Sequence, residues 1–125
     1  MQTEFEFTLP TGYIDDQGQI HYQGVMRRSR AMDEILPMQD VRVQANPAYA
    51  TVIILARVIV RLGTITEVTP LVIENMFASD LSHLQTLYHQ INSPEQIKSL
   101  DLPESVTHSG EEEASETLEK ELAPV

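Results

Sequence analysis

No cysteine occurs among the 125 residues. Disulfides, thiol nucleophiles and cysteine zinc sites are thereby excluded, and the absence is compatible with a reducing cytoplasm. The first residues, MQTEFEFTLP, lack a basic segment followed by an apolar run, so no signal peptide is expected. A bilayer-spanning helix needs roughly 20 apolar residues. The best candidate, NPAYATVIILARVIVRLG at residues 46–63, is interrupted by Arg57 and Arg61, and the membrane reading fails. Positive charge is scarce as well: 8 Lys and Arg stand against 19 Asp and Glu, a net −11. That balance argues against nonspecific nucleic-acid binding, because phosphates would be repelled. From residue 101 onward eight acidic residues face Lys120 alone, giving −7, which leaves −4 for the first hundred. Arg27, Arg28 and Arg30 form a local basic group, open to a carboxylate, to a phosphate or to plain solvation.

Recognisable catalytic patterns are also missing. There is no Gly-rich phosphate loop, no serine elbow and no paired-histidine metal motif. His21, His83, His89 and His108 are scattered and read as surface histidines. His83 and His89, six residues apart, project about 120° apart around a helix, so they cannot share a metal unaided. The neighbouring acids Asp15-Asp16 and Asp33-Glu34 point apart in a turn or a helix. DDQG fails as a calcium loop, since glycine already stands fourth and the twelfth residue from Asp15 is Met26. The expectation is a non-enzyme with no cofactor and no metal.

What is present is patterning. A length of 125 residues with 42% hydrophobic content suits one ordinary domain, at residues 1–100, followed by an acidic tail at 101–125. In TEFEFT, Phe5 and Phe7 alternate with Glu4 and Glu6, which predicts a half-buried strand over residues 3–8 that LPTG breaks. A hairpin should follow, turning at Asp16-Gln17-Gly18 between Ile14 and Ile20, with its second arm over about residues 20–26. SRAMDEILPM predicts a short helix capped by Ser29 and stopped by Pro37. Further helices are expected from Thr69-Pro70 and from Ser79 through SDLSHLQTLYHQIN, and Ser93 with Gln96 has capping-box spacing. Residues beyond Leu102 are too poor in apolar groups to offset ordering entropy, so a disordered tail is expected, with Leu118 and Leu122 as one face of a transient helix at most.

The apolar stretch itself predicts a helix capped by Asn46, opened by Pro47, continuing to Leu62 and stopped by Gly63. At 100° per residue, Ala48, Tyr49, Val52, Ile53, Leu55, Ala56, Val58, Ile59, Val60 and Leu62 cover well over half of its circumference. Only Ala50, Arg57 and Arg61 remain for water, so this helix must be wrapped by its own domain or by another chain. Arg57 and Arg61 share that face. They can bridge to Asp33, Glu34, Asp40, Glu74 or Asp80 within the domain, meet an acidic segment of another protein, or stay solvated.

In this order, LPTGYIDDQGQIH, GVMR, DEI, NPAY, RVIVRLG, IENMF and DLSHLQTLYHQIN make residues 5–92 resemble the small tail assembly proteins, chaperones in the broad sense, of contractile-tailed phages and phage-tail-like injection systems. The resemblance implies a non-catalytic role in the cytoplasm of the producing bacterial cell. There the chain would bind another tail protein, the tape-measure protein first and tube or baseplate proteins otherwise. It implies no catalytic or ligand residues. The alternative is a structural component retained in the tube or baseplate of the mature particle, and a third reading is a small-molecule or metal-binding regulator. The expected fold is α+β: a small N-terminal antiparallel β element packed on a bundle of three or four helices. The candidate partner-binding residues are Tyr49, Ile53, Arg57 and Arg61 on the central helix, with Leu81, Leu84 and Tyr88 on the last. Taken one at a time, each is expected to serve the domain's own core before a partner.

Overall fold

Alternating phenylalanines and glutamates do open a strand, but a longer one than the sequence predicts: β1 runs Glu4–Ile14 and pairs antiparallel with β2, Ile20–Arg27. LPTG does not end β1. It shifts the register between Thr8 and Tyr13 while the strand continues, because the amides of Thr11 and Gly12 turn to the Asp80 carboxylate at 2.8 and 3.0 Å. The hairpin turns where expected, with Gly18 at φ +83° donating to the Asp15 carbonyl. The computed structural model describes residues 1–94.

The central helix is shorter than its periodicity predicts. A 3-10 turn, Pro47–Tyr49, leads into α3, Ala50–Val58, and the chain then becomes strand β3, Ile59–Leu62. Val58, Ile59 and Val60 are consecutive β-branched residues that fit a strand better than a helix. The free edge of β2 satisfies their backbone, pairing Met26 with Ile59, Val25 with Arg61 and Gly24 with Leu62 around a register shift at Val60. Gly63 is left-handed as expected (φ +60°), but its N–H goes to the Gln23 carbonyl at the end of the sheet. Arg57 and Arg61 therefore lie on different elements, one helical and one extended.

The sheet order is β1-β2-β3. Helix α1, Ala31–Ile35, begins after Arg30 and not after Ser29, whose N–H donates to Asn92 at 2.9 Å. Pro37 does not stop the chain's coiling; it is buried in a 3-10 turn, Leu36–Gln39. An unforeseen helix α2, Val41–Ala45, follows, with the Asp40 side chain accepting from the Arg42 N–H. Thr69 caps α4, Pro70–Glu74, and α5 spans Ala78–Asn92.

Phe7, Leu9, Tyr13 and Met26 from the sheet meet Leu55, Val58, Ile73, Leu84, Tyr88 and Ile91 from the helices in one core. The fold is thus α+β, a three-stranded antiparallel N-terminal sheet with five α-helices among the described residues. No helix among these residues is long and apolar enough to cross a membrane. The capping box that needs Gln96, and the acidic tail, lie outside the described residues.

Candidate docking surface

Asp33 is 3% exposed, unusually little for a carboxylate. Arg27, the last residue of β2, grips it through both terminal nitrogens at 2.8 and 3.0 Å. Arg57 Nε of α3 donates at 3.0 Å, and the Arg30 N–H at 2.7 Å. The Arg27 guanidinium holds the carboxyl well below its usual range, while burial pushes the other way; the Arg30 N–H and Arg57 add to the lowering. The same pair raises Arg27. Arg27 also donates to the carbonyls of Arg28 and Arg57. One carboxylate thereby ties the end of the sheet to α1 and α3, and of the readings open to Arg57 the bridge within the domain is the one realised.

That anchor fixes which way α1 faces. At 100° per residue Met32, Ile35 and Leu36 form one side, while Asp33 and Glu34 lie on the other. Asp33 enters the arginine pair, and Glu34 accepts from the Tyr88 hydroxyl at 2.5 Å. Of α1, Asp33 alone is buried; Glu34 stays exposed beside Tyr88, and Met32, Ile35 and Leu36 face water where an ordinary surface helix would bury its apolar side. Met32, Ile35, Leu36, Met38 and Val41 are 38–75% exposed. Together they present roughly 500 Å² in one stretch of chain, within the range of the largest apolar patch on a typical monomer, which is often functional.

The structure brings some of the sequence-predicted residues together and withdraws others. Ile53, Leu84 and Tyr88 are buried, and Leu81 packs against the core. Burial and the Glu34 hydrogen bond push the Tyr88 hydroxyl up to about 12. Tyr49 donates to Glu74 and lies 5.2 Å from the Arg42 guanidinium. Arg57 serves Asp33. Arg61 is exposed, meets no carboxylate among the described residues, and reaches only the Gly63 carbonyl at 3.3 Å. Among these seven, Arg57 and Arg61 are exposed, Tyr49 and Leu81 are half-buried, and the other three are buried. The stripe from Met32 to Val41 was not foreseen. Its signal, apolar residues at i, i+3 and i+4 in SRAMDEILPM, reads equally well as a buried face.

Two further polar groups bind within the domain. Arg28 donates to the carbonyls of Gln2 and Ile91 and lies 5.0 Å over the Phe5 ring, closing the C-terminal end of α5 against the sheet. His21 is buried rather than on the surface. It bonds Asp15 at 2.8 Å, stacks on Tyr13, and sits where a side chain at Gly63 would place its Cβ 2.1 Å from Nδ1. A histidine-aspartate pair is a familiar general base. Here the ring is sealed under Gly63, and the Asp15 carboxylate also accepts from the amides of Gln17 and Gln19. The His21 hydrogen bond leads the causes that lower Asp15. Among the described residues no group of three His, Cys, Asp or Glu could hold a metal. Comparison with protein-family models, with curated proteins and with solved structures gives no match.

Proposed function

We propose that this protein is a non-catalytic assembly factor that works by binding another protein, and that its partner is a component of a contractile phage tail or phage-tail-like injection particle. The observation that carries the docking role is the outward apolar side of α1 and its continuation to Val41, held in place by the buried Asp33. The tail assignment rests on the resemblance of residues 5–92 to small tail assembly proteins. Chaperoning of the tape-measure protein in the producing cell's cytoplasm fits both. A net charge of −11 keeps such a complex soluble while apolar surfaces are covered.

The test is a pull-down with the tagged chain from cells expressing a complete tail cluster, paired with analysis of purified mature particles. Recovery of tape-measure protein, with this chain missing from finished particles, supports the chaperone reading. Recovery of tube or baseplate proteins, with the chain retained in particles, would replace it with a structural role. Recovery of no tail component would refute the assignment.

A further inference from the structure

The chemistry of the exposed stripe narrows what can cover it, and the step taken here rests on reading the chain as a docking protein. We infer that the stripe from Met32 to Val41 receives a single amphipathic helix of another protein, about three turns long, with a carboxylate at the end that meets Arg30.

Size supplies the first argument. A stable pair of proteins buries about 800 Å² on each side, whereas the stripe offers roughly 500 Å² of mostly apolar surface. One helix laid along it matches that area. The segment Met32–Val41 is short, and at 1.5 Å per residue a helix of about 12 residues spans it. Met32 and Met38 have unbranched, adaptable side chains that accept varied partner residues.

Charge supplies the second. Of the two acids of α1, Asp33 is buried against the arginines, and Glu34, though exposed, lies on the side opposite Met32 and Leu36 and accepts from Tyr88. Asp40, at the far end, is held by Arg42 at 2.9 Å. Arg30 differs. Its backbone N–H serves Asp33, but its side chain is exposed and has no ion-pair partner among the described residues. The border of the stripe is therefore open to a negative group at the Arg30 end. A second copy of this chain fits poorly, because it brings another −11, and a stable pair of copies would need about 800 Å² on each side. An apolar helix begun by acidic residues, which also favour a helix N-terminus, fits both features.

The experiment titrates the isotope-labelled full chain with a synthetic amphipathic peptide of about 18 residues, long enough to form helix. The peptide carries leucines at i, i+3, i+4 and i+7 and two glutamates at its first turn. A scrambled peptide of equal composition and a version with lysines for the two glutamates serve as controls. Expected are amide shifts confined to residues 30–42, none with the scrambled peptide, and about two- to fivefold weaker binding of the lysine peptide. Arg30→Glu should reverse that preference. Val41→Glu and Ile35→Glu, at exposed positions, should weaken binding about tenfold or more with the circular dichroism spectrum unchanged. Equal binding of the scrambled peptide, shifts elsewhere on the domain, or no effect of either glutamate variant overturns the inference. So does self-association that Val41→Glu abolishes, since the stripe would then belong to a second copy. The two readings fail separately: peptide binding without recovery of tail proteins refutes only the tail assignment. Recovery of a tail protein by Ile35→Glu as efficiently as by the unchanged chain refutes only the helix site.

Discussion

Replacing Asp33 with asparagine keeps the shape of the side chain and removes its charge. The carboxylate accepts four hydrogen bonds, two from Arg27, one from Arg57 and one from the Arg30 backbone. Removing one partner of a buried ion pair costs about 3–5 kcal/mol, chiefly because the other charge is left unpaired. The guanidiniums left behind keep side-chain exposures of 32% and 35%, so water screens them and the expected loss falls to about 2–3 kcal/mol. A small domain loses about 1–1.5 kcal/mol per molar urea, so the unfolding midpoint at pH 7 should drop by about 2 M. The pH dependence gives an independent check. Arg27 holds the folded carboxyl well below its ordinary value, so on acidification the unfolded chain takes up this proton first. The contribution of Asp33 is complete above the ordinary carboxylate value of about 4 and fades as pH falls below it toward the folded value. The gap between the two proteins should therefore be widest near neutrality and shrink in acid. A midpoint shift below about 0.5 M at pH 7, or a gap that persists unchanged into acid, would refute the assignment of this carboxylate as the anchor of α1.

Three other perturbations test neighbouring parts of the fold. Gly63→Ala puts a Cβ 2.1 Å from His21 Nδ1 at a residue with φ +60°, so a loss of about 2–4 kcal/mol and a melting point lower by 10 °C or more are expected in calorimetry. Asp80→Ala leaves the amides of Thr11 and Gly12 without their acceptor; about 2–4 kcal/mol should be lost, hydrogen exchange at those two amides should accelerate, and Asp80→Asn should recover part of both. The folded Tyr88 hydroxyl is pushed up to about 12 by burial and then by Glu34, so stability is full below the unfolded value of about 10 and falls as pH climbs toward 12. Tyr88→Phe should flatten part of that alkaline decline in urea titrations and remove the last-titrating phenol from the absorbance curve. An unchanged decline would place the shift elsewhere.

Much of the architecture is written in local pattern. The alternation at Phe5 and Phe7, the turn at Gly18, the proline starts at Pro47 and Pro70 and the leucine face of α5 all rest on short-range preferences, and all appear where their residues put them. The misreadings share a cause. Helical periodicity through Leu62 is genuine, yet the vacant edge of β2 offers Ile59–Leu62 a ladder that no local rule contains. LPTG looks like a break, but Asp80, nearly seventy residues away, takes up the amides that the bulge turns outward. His21 reads as a surface residue until β3 brings Gly63 over its ring. The exposed stripe from Met32 to Val41 is the hardest case, because SRAMDEILPM specifies an amphipathic helix without saying which side turns inward. Only the positions of Arg27 and Arg57, from two other elements, decide that.

The orientation of α1 has a physical logic beyond stability. Turning Met32, Ile35 and Leu36 inward and Asp33 outward would bury apolar surface and hydrate a charge, and both changes favour folding. The reverse arrangement persists because Arg27 and Arg57 converge where α1 meets the domain. A helix rolled the other way would leave two guanidiniums facing methionine and isoleucine. Arg27 is held in turn by two carbonyls, which fixes the orientation of its fork independently of α1. Buried ion pairs contribute little net stability compared with packed apolar groups, but breaking one is costly, which disfavours arrangements that separate Asp33 from its arginines. The clamp is thus best understood as a device that selects the face on display, at some expense in stability. Under the docking role proposed above, such an expense is what a surface kept for a partner requires.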